Sequence, residues 1–201
     1  MMEDPARLES MFKIAFMGKK GTGKSCTAIR IQTDTFPDFI KESSMGYQQK
    51  TKGLYFDDKA IKFSIFDIDG ADKYMSVRKT AFDWADALVY FYDIADRSSF
   101  EDAKEWLEMM RKWRKDPPLL IVAGNKADLS GNRTVDSSEG RELAKNFDGI
   151  FFEISAKTGD SVREMVKEIV QLLMKPQERT VKNSEEKTEF QNEEKKPCRI
   201  F

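Results

Sequence analysis

The stretch "GKKGTGKS", Gly18 to Ser25, places three glycines, a lysine and a serine where a phosphate group could be gripped. Glycines at Gly18, Gly21 and Gly23 let backbone N–H groups turn inward around phosphate oxygens. Thr22 and the helix expected to open here add further donors and the positive end of a dipole. Lys24 would reach the β- and γ-phosphates, and Ser25 would offer its hydroxyl to Mg²⁺. Lys20 and Cys26 complete this group of candidate nucleotide contacts. A second stretch, "GNKAD", Gly124 to Asp128, selects the base. The Asp128 carboxylate can accept from both N1–H and the 2-amino group of guanine, a donor pair that adenine lacks. Asn125 adds a polar contact, and the aliphatic stem of Lys126 can cover the ring. A site built on such hydrogen bonds rejects analogues lacking the partners by large factors. In "SAK", Ser155 to Lys157, the Ala156 N–H is placed to meet guanine O6, and the Phe36 ring can pack on the base.

The elements that must position these residues are short. "FKIAFM" (Phe12 to Met17), "AIKFSIFD" (Ala60 to Asp67), "ALVYFYD" (Ala87 to Asp93), "LLIVAGN" (Leu119 to Asn125) and "IFFEIS" (Ile150 to Ser155) read as strands. "YQQKTKGLYF" (Tyr47 to Phe56) is a weaker strand, and the "DDK" after it suggests an antiparallel hairpin. Helical spacing falls in Ser25–Thr33, Ser99–Lys115, Ser137–Asn146 and Ser161–Met174. Strand then helix, repeated, implies an α/β fold with a mostly parallel sheet and helices on both faces. Ligands of such sheets sit at the carboxyl ends of the strands, and every motif above follows a strand end. Trp84, Trp106 and Trp113 fall at core positions or on a helix surface, with core packing the default because large aromatics mostly bury.

Composition narrows the chemistry. The chain has 201 residues, 34 basic and 35 acidic, a net charge of −1 and no histidine. The balance gives no basic footprint for nucleic acid. Without histidine there is no Ser-His or Cys-His nucleophile and no usual zinc hydrolase site. Two cysteines, Cys26 and Cys198, argue against a disulfide framework and fit a reducing compartment. The start lacks the apolar core of a secretory signal, and the apolar runs are too short to span a bilayer. From Pro176 the helical pattern stops. Five basic and six acidic residues crowd "QERTVKNSEEKTEFQNEEKK", with Val181 and Phe190 the only apolar positions. That composition cannot offset its own ordering entropy, so disorder is expected.

Taken in order, the phosphate loop, "DIDG", "GNKAD" and "SAK" resemble the Ras superfamily of small GTPases, over about Lys13 to Met174. "VYFYDIADRSSFEDAKEW" (Val89 to Trp106) resembles its Rab-like branch. The resemblance implies a single P-loop G domain over residues 11–175. It has a six-stranded sheet with one antiparallel hairpin and about five helices, between a flexible N-terminus (1–10) and the tail (176–201). It implies GTP and GDP as ligands and Mg²⁺ as cofactor. Asp67 matches the acid behind the metal, and Gly70 the N–H donor to the γ-phosphate. Ser44 in "ESSMGY" best matches the switch I metal ligand, with Ser43 the other choice. Effector proteins would dock on switch I and switch II, and an exchange factor and a GTPase-activating protein are implied as regulators.

Departures from the pattern fall on hydrolysis. Ala71 stands where the family carries the glutamine that orients the attacking water, and a methyl group cannot do so. Lys20 replaces a small residue; it would block an arginine finger or neutralise transition-state charge itself. Weak hydrolysis by a switch and nucleotide binding without turnover both remain open, so the chain's standing as an enzyme is open too. An ATP-dependent kinase or motor is disfavoured by "GNKAD" with "SAK". The Rab-like aromatic set keeps Phe66 but has Gln49 and Ala81 at its other positions, so typical Rab partners do not carry over. The terminal "CRIF" fits a prenylation signal at Cys198, with Phe201 favouring geranylgeranyl and Arg199 departing from the aliphatic pattern. This implies a prenyltransferase, a prenyl-binding chaperone, and cycling between cytoplasm and the cytosolic face of a membrane. One lipid chain without a polybasic patch anchors reversibly.

Overall fold

In the computed structural model, residues 10–40, 45–56, 59–70, 74–113 and 116–175 are described. The chain runs β1 (Ser10–Gly18), α1 (Lys24–Thr33), β2 (Tyr47–Phe56), β3 (Lys59–Ile68), α2 (Met75–Trp84), β4 (Ala87–Asp93) and α3 (Arg97–Met110). It continues with β5 (Leu119–Asn125), a short 3₁₀ segment (Ala127–Asn132), α4 (Ser137–Asn146), β6 (Ile150–Glu153) and α5 (Val162–Met174). The six strands form one sheet in the order β2-β3-β1-β4-β5-β6. Only β2 and β3 pair antiparallel, with Phe56 opposite Lys59; the "DDK" turn residues Asp57 and Asp58 lie outside the described residues.

Each strand feeds two cores because successive side chains point to opposite faces. In β1, Ile14 and Phe16 join the layer under α1 and α5, while Ala15 and Met17 join the layer under α2, α3 and α4. β4 is central and all seven of its residues are buried, so it reads as an unbroken apolar run rather than an alternation. Two of the helices over the second layer, α3 and α4, start at side-chain caps. The Asp96 carboxylate accepts from the Ser98 N–H, and Asp136 forms a capping box with Glu139.

Three sequence expectations are adjusted. The third helix starts at Arg97 and ends at Met110, five residues before Lys115, because the chain turns at residues 111–113. Helix α2 was not separable by pattern. Its Arg78 is buried, held by the Trp106 ring 4.1 Å from the guanidinium, so a charge interrupts the apolar face. Of the tryptophans only Trp106 is buried; Trp113 and Trp84 are half-buried, packed edge-on against Phe82 and Phe66.

The sheet order reverses at β1, which has β3 on one side and β4 on the other. A crevice opens at such a switch point, beyond the carboxyl ends of the strands. The β1–α1 loop lies there.

Candidate functional site

Three strands carry a buried polar residue at that edge: Asp93 ends β4, Asn125 ends β5, and Asp67 lies one residue before the end of β3. Burial of polar groups is costly unless they are paired, and each has a partner that shapes the site.

The phosphate loop closes on its own lysine. The Lys24 ammonium is 6% exposed and donates to the carbonyl oxygens of Gly18 (2.8 Å) and Lys19 (2.9 Å). Burial pushes its pKa down to about 8, with the Asp67 charge opposing. An anion placed beside it would raise that pKa again. Thr22 is buried, and its hydroxyl donates to the Lys19 carbonyl (2.9 Å). Gly23 has φ of 88°, and a Cβ there would meet Asn125 Nδ2 at 2.2 Å, so both conformation and space demand glycine. Beside the loop is a cavity of about 250 Å³, lined by Lys20, Lys24, Ser25, Cys26, Asp67 and Gly70 among others.

The Ser25 hydroxyl hydrogen-bonds the Asp67 carboxylate. Burial raises the Asp67 pKa, while Ser25 and the Lys24 charge pull it back. A hydroxyl and a buried carboxylate side by side are hard oxygen donors of the kind Mg²⁺ takes, with water and phosphate oxygens filling its other positions. The residues present fit that ion. Gly70 lies against the phosphate loop: a Cβ there would meet the Lys20 backbone nitrogen at 2.3 Å and the Gly18 oxygen at 2.7 Å. Any side chain at position 70 would push the end of β3 off the loop. Ala71, Ser43 and Ser44 lie outside the described residues, as does Cys198.

The base-side motifs converge on the same loop. Asn125 is fully buried and its amide is used at both ends: Nδ2 donates to the Thr22 carbonyl (2.8 Å) and Oδ1 accepts from the Ala156 N–H (3.1 Å). Asp128 accepts from the Ser155 hydroxyl (2.6 Å), which in turn accepts from the Thr158 N–H (3.1 Å). Lys126 has a φ of 67°, and its ammonium pairs with Asp93 at 2.7 Å. Lys157 contributes its carbonyl, which accepts from Arg30 at 2.6 Å. Phe36 is 44% exposed on the segment after α1.

Several contributors were not singled out from sequence. Arg30 also donates to the Ala156 carbonyl (3.0 Å), tying α1 to the "SAK" loop across 126 positions. Asp93 was legible in principle, since a polar residue ends β4 as one ends β5. Lys19 donates to Ser98 Oγ at the start of α3 (2.8 Å). On the outer face Gln49 turns to Ser64 (2.7 Å), and the aromatic surface is rebuilt by neighbours. Tyr47 stacks on Phe66, and Trp84 meets Phe66 edge-on at 4.1 Å.

A mostly parallel sheet whose order reverses at a glycine-rich strand–loop–helix turn, with further loops meeting at the same edge, defines a P-loop nucleotide-binding protein of the α/β class. The Ras family model matches residues 13–175. The chain is 32% identical over 164 residues to the Ras-related protein Rab-3D of Mus musculus and to Rab-3A of Homo sapiens, covering 81% of this chain and 74% of each relative. It is 29% identical over 177 residues to RabC of Dictyostelium discoideum, covering 88% of both. The chain belongs to the Ras family, as a Rab-like small GTPase.

Proposed function

We propose that this protein is a guanine-nucleotide switch of membrane traffic or signalling, binding GTP and GDP with Mg²⁺ and hydrolysing GTP slowly. The observation that carries the reading is the Asn125 bridge, which joins the Thr22 carbonyl of the phosphate loop to the Ala156 N–H of the base loop. That bridge supports reading the cation of Lys24 and the carboxylate of Asp128 as the two poles that a guanosine phosphate requires. Lys24, with the backbone of Gly18, Gly21 and Gly23, would hold the phosphates. Ser25, Ser44 and Asp67 would hold the metal, which supplies charge neutralisation between the phosphates. Asp128, Lys126, Ala156 and Phe36 would hold the base, and Gly70 would sense the γ-phosphate.

Positioning supplies most of the catalysis in phosphoryl transfer, and Ala71 offers nothing to position water. Nucleotide chromatography after loading with GTP and Mg²⁺ tests this: GTP should persist over hours. Ala71→Gln should then raise hydrolysis about a hundredfold, with Lys20→Gly reporting whether the second departure helps or hinders. A second reading, binding without turnover, rests on the same two residues, and an unchanged rate in Ala71→Gln would favour it. Exclusive binding of adenine nucleotides would refute both.

Lipidation of Cys198 by a prenyltransferase, with a chaperone carrying the lipid through the cytoplasm, would give reversible residence on a cytosolic membrane face. Effectors would read the surface around Phe39 and Met45, which are 81% and 67% exposed, together with Tyr47, Phe66 and Trp84. An exchange factor and an activating protein would act on the same side. Mass spectrometry of the C-terminal peptide from cells checks the lipid directly.

A further inference from the structure

A groove outside the nucleotide site lies between α1, the β2–β3 hairpin and α5, with a volume of about 510 Å³. Its apolar lining comes from Ile31, Leu54, Val162, Val166 and Val170. Tyr55 stands at its edge, 73% exposed. Around this lining are four cations, Arg30, Lys52, Arg163 and Lys167, and one carboxylate, Asp34, which pairs with Arg163. The rim therefore carries a net charge of +3. A shape of this kind suits an aromatic side chain flanked by acidic residues.

The chain contains one such segment. Residues 184–194, "SEEKTEFQNEE", hold five glutamates and one lysine, a net charge of −4, around Phe190, the one aromatic residue between Met174 and Phe201. We propose that this segment docks in cis on the groove, with Phe190 against Val166 and Tyr55 and the glutamates facing the basic rim.

The geometry of the connection favours docking in cis. Residues 175–183 link α5 to the segment, and Val166 lies nine residues back from Lys175, about 14 Å along the helix. Fifteen residues separate Lys175 from Phe190. A flexible chain of that length has an end-to-end distance of about 20 Å, close to the span from the end of α5 to the middle of the groove. Effective concentration is greatest when these two lengths match, and reaches the millimolar range. An aromatic–acidic contact of only millimolar strength then fills the groove about half the time.

Docking changes what the terminus can reach. With Phe190 seated, Cys198 is eight residues from the groove and extends at most about 28 Å from it. With the segment released, Cys198 is 23 residues from Lys175 and extends about 80 Å. The groove thus acts as a brake on the reach of the C-terminal cysteine, set by ionic strength because the contact is between exposed charges.

Hydroxyl-radical footprinting of the full-length chain tests the proposal, reading Tyr55 against Phe39 as an internal standard. Phe190→Ser should raise the Tyr55 labelling rate about twofold, as the half-occupied groove empties. Lys167→Glu, or salt at 0.5 M, should give a similar rise through the charges. Equal Tyr55 rates in the unaltered chain and Phe190→Ser would overturn the proposal. So would protection that fades on dilution, which would mean a second copy occupies the groove. Protection that survives Phe190→Ser but is lost on removing residues 1–9 would assign the groove to the N-terminal segment and overturn it as well.

Discussion

Replacing Asn125 by alanine should break the joint between base loop and phosphate loop before any nucleotide is considered. The side chain is fully buried, its Nδ2 donates to the Thr22 carbonyl at 2.8 Å, and its Oδ1 accepts from the Ala156 N–H at 3.1 Å. Truncation strands two buried backbone groups, and each unsatisfied group costs about 1–3 kcal/mol. The expected loss is therefore about 4 kcal/mol, a large part of the 5–15 kcal/mol typical of a folded domain. Urea denaturation of nucleotide-free protein reads it as a lower midpoint at unchanged slope. Gly23→Ala provides the partner mutation, because its Cβ would sit 2.2 Å from Asn125 Nδ2 and displace the same amide. It also forces alanine to a φ of 88°, at about 1–2 kcal/mol. If both changes break one bridge, the double variant should lose at least about 1 kcal/mol less than the sum of the two. A loss under about 1 kcal/mol for Asn125→Ala, or additivity within about 0.5 kcal/mol, would refute the bridge as a structural joint.

Other expectations are more local. Lys24 has a folded pKa of about 8, below its unfolded value, so the unfolded chain binds more protons above that pH. Nucleotide-free protein should gain up to about 3 kcal/mol between pH 8 and 10.5; urea midpoints across that range should rise, and Lys24→Met should flatten the rise. Phosphate binding should take up a proton above pH 8, visible by calorimetry in buffers of different ionisation enthalpy. The Tyr92 hydroxyl is buried with no partner among the described residues, while its ring packs edge-on to Phe100 at 5.0 Å. Tyr92→Phe should therefore stabilise by about 1 kcal/mol, a rise of about 3 °C in Tm; a fall would mean that a buried water satisfies the hydroxyl.

The strands and their motifs were legible because both follow from local pattern. Apolar runs of strand length, each with a polar residue at or next to its end, mark β3, β4 and β5, and the site lies where those ends meet. Helix α2 was not legible, since Arg78 sits on its buried face, where the Trp106 ring packs against the guanidinium. Arg30 and Lys19 were missed for a related reason. Each acts on a partner far along the chain, the "SAK" carbonyls and Ser98, and no periodicity reports a contact 126 or 79 positions away.

The fold also changes how the motifs themselves should be understood. From sequence, Asn125 and Ala156 serve the base while Thr22 and Gly23 serve the phosphates, as if two binding sites had been set side by side. In the folded chain the Asn125 amide lies between them with both ends occupied by protein, and Gly23 must be glycine because that amide is there. A shift of the phosphate loop must therefore move or break the bond to Asn125, and through it the Ala156 N–H expected to meet the base. Discrimination of the base and grip on the phosphates are then one property. A variant at either end should alter both, and no substitution at Asn125 should tune guanine selectivity while leaving phosphate affinity intact.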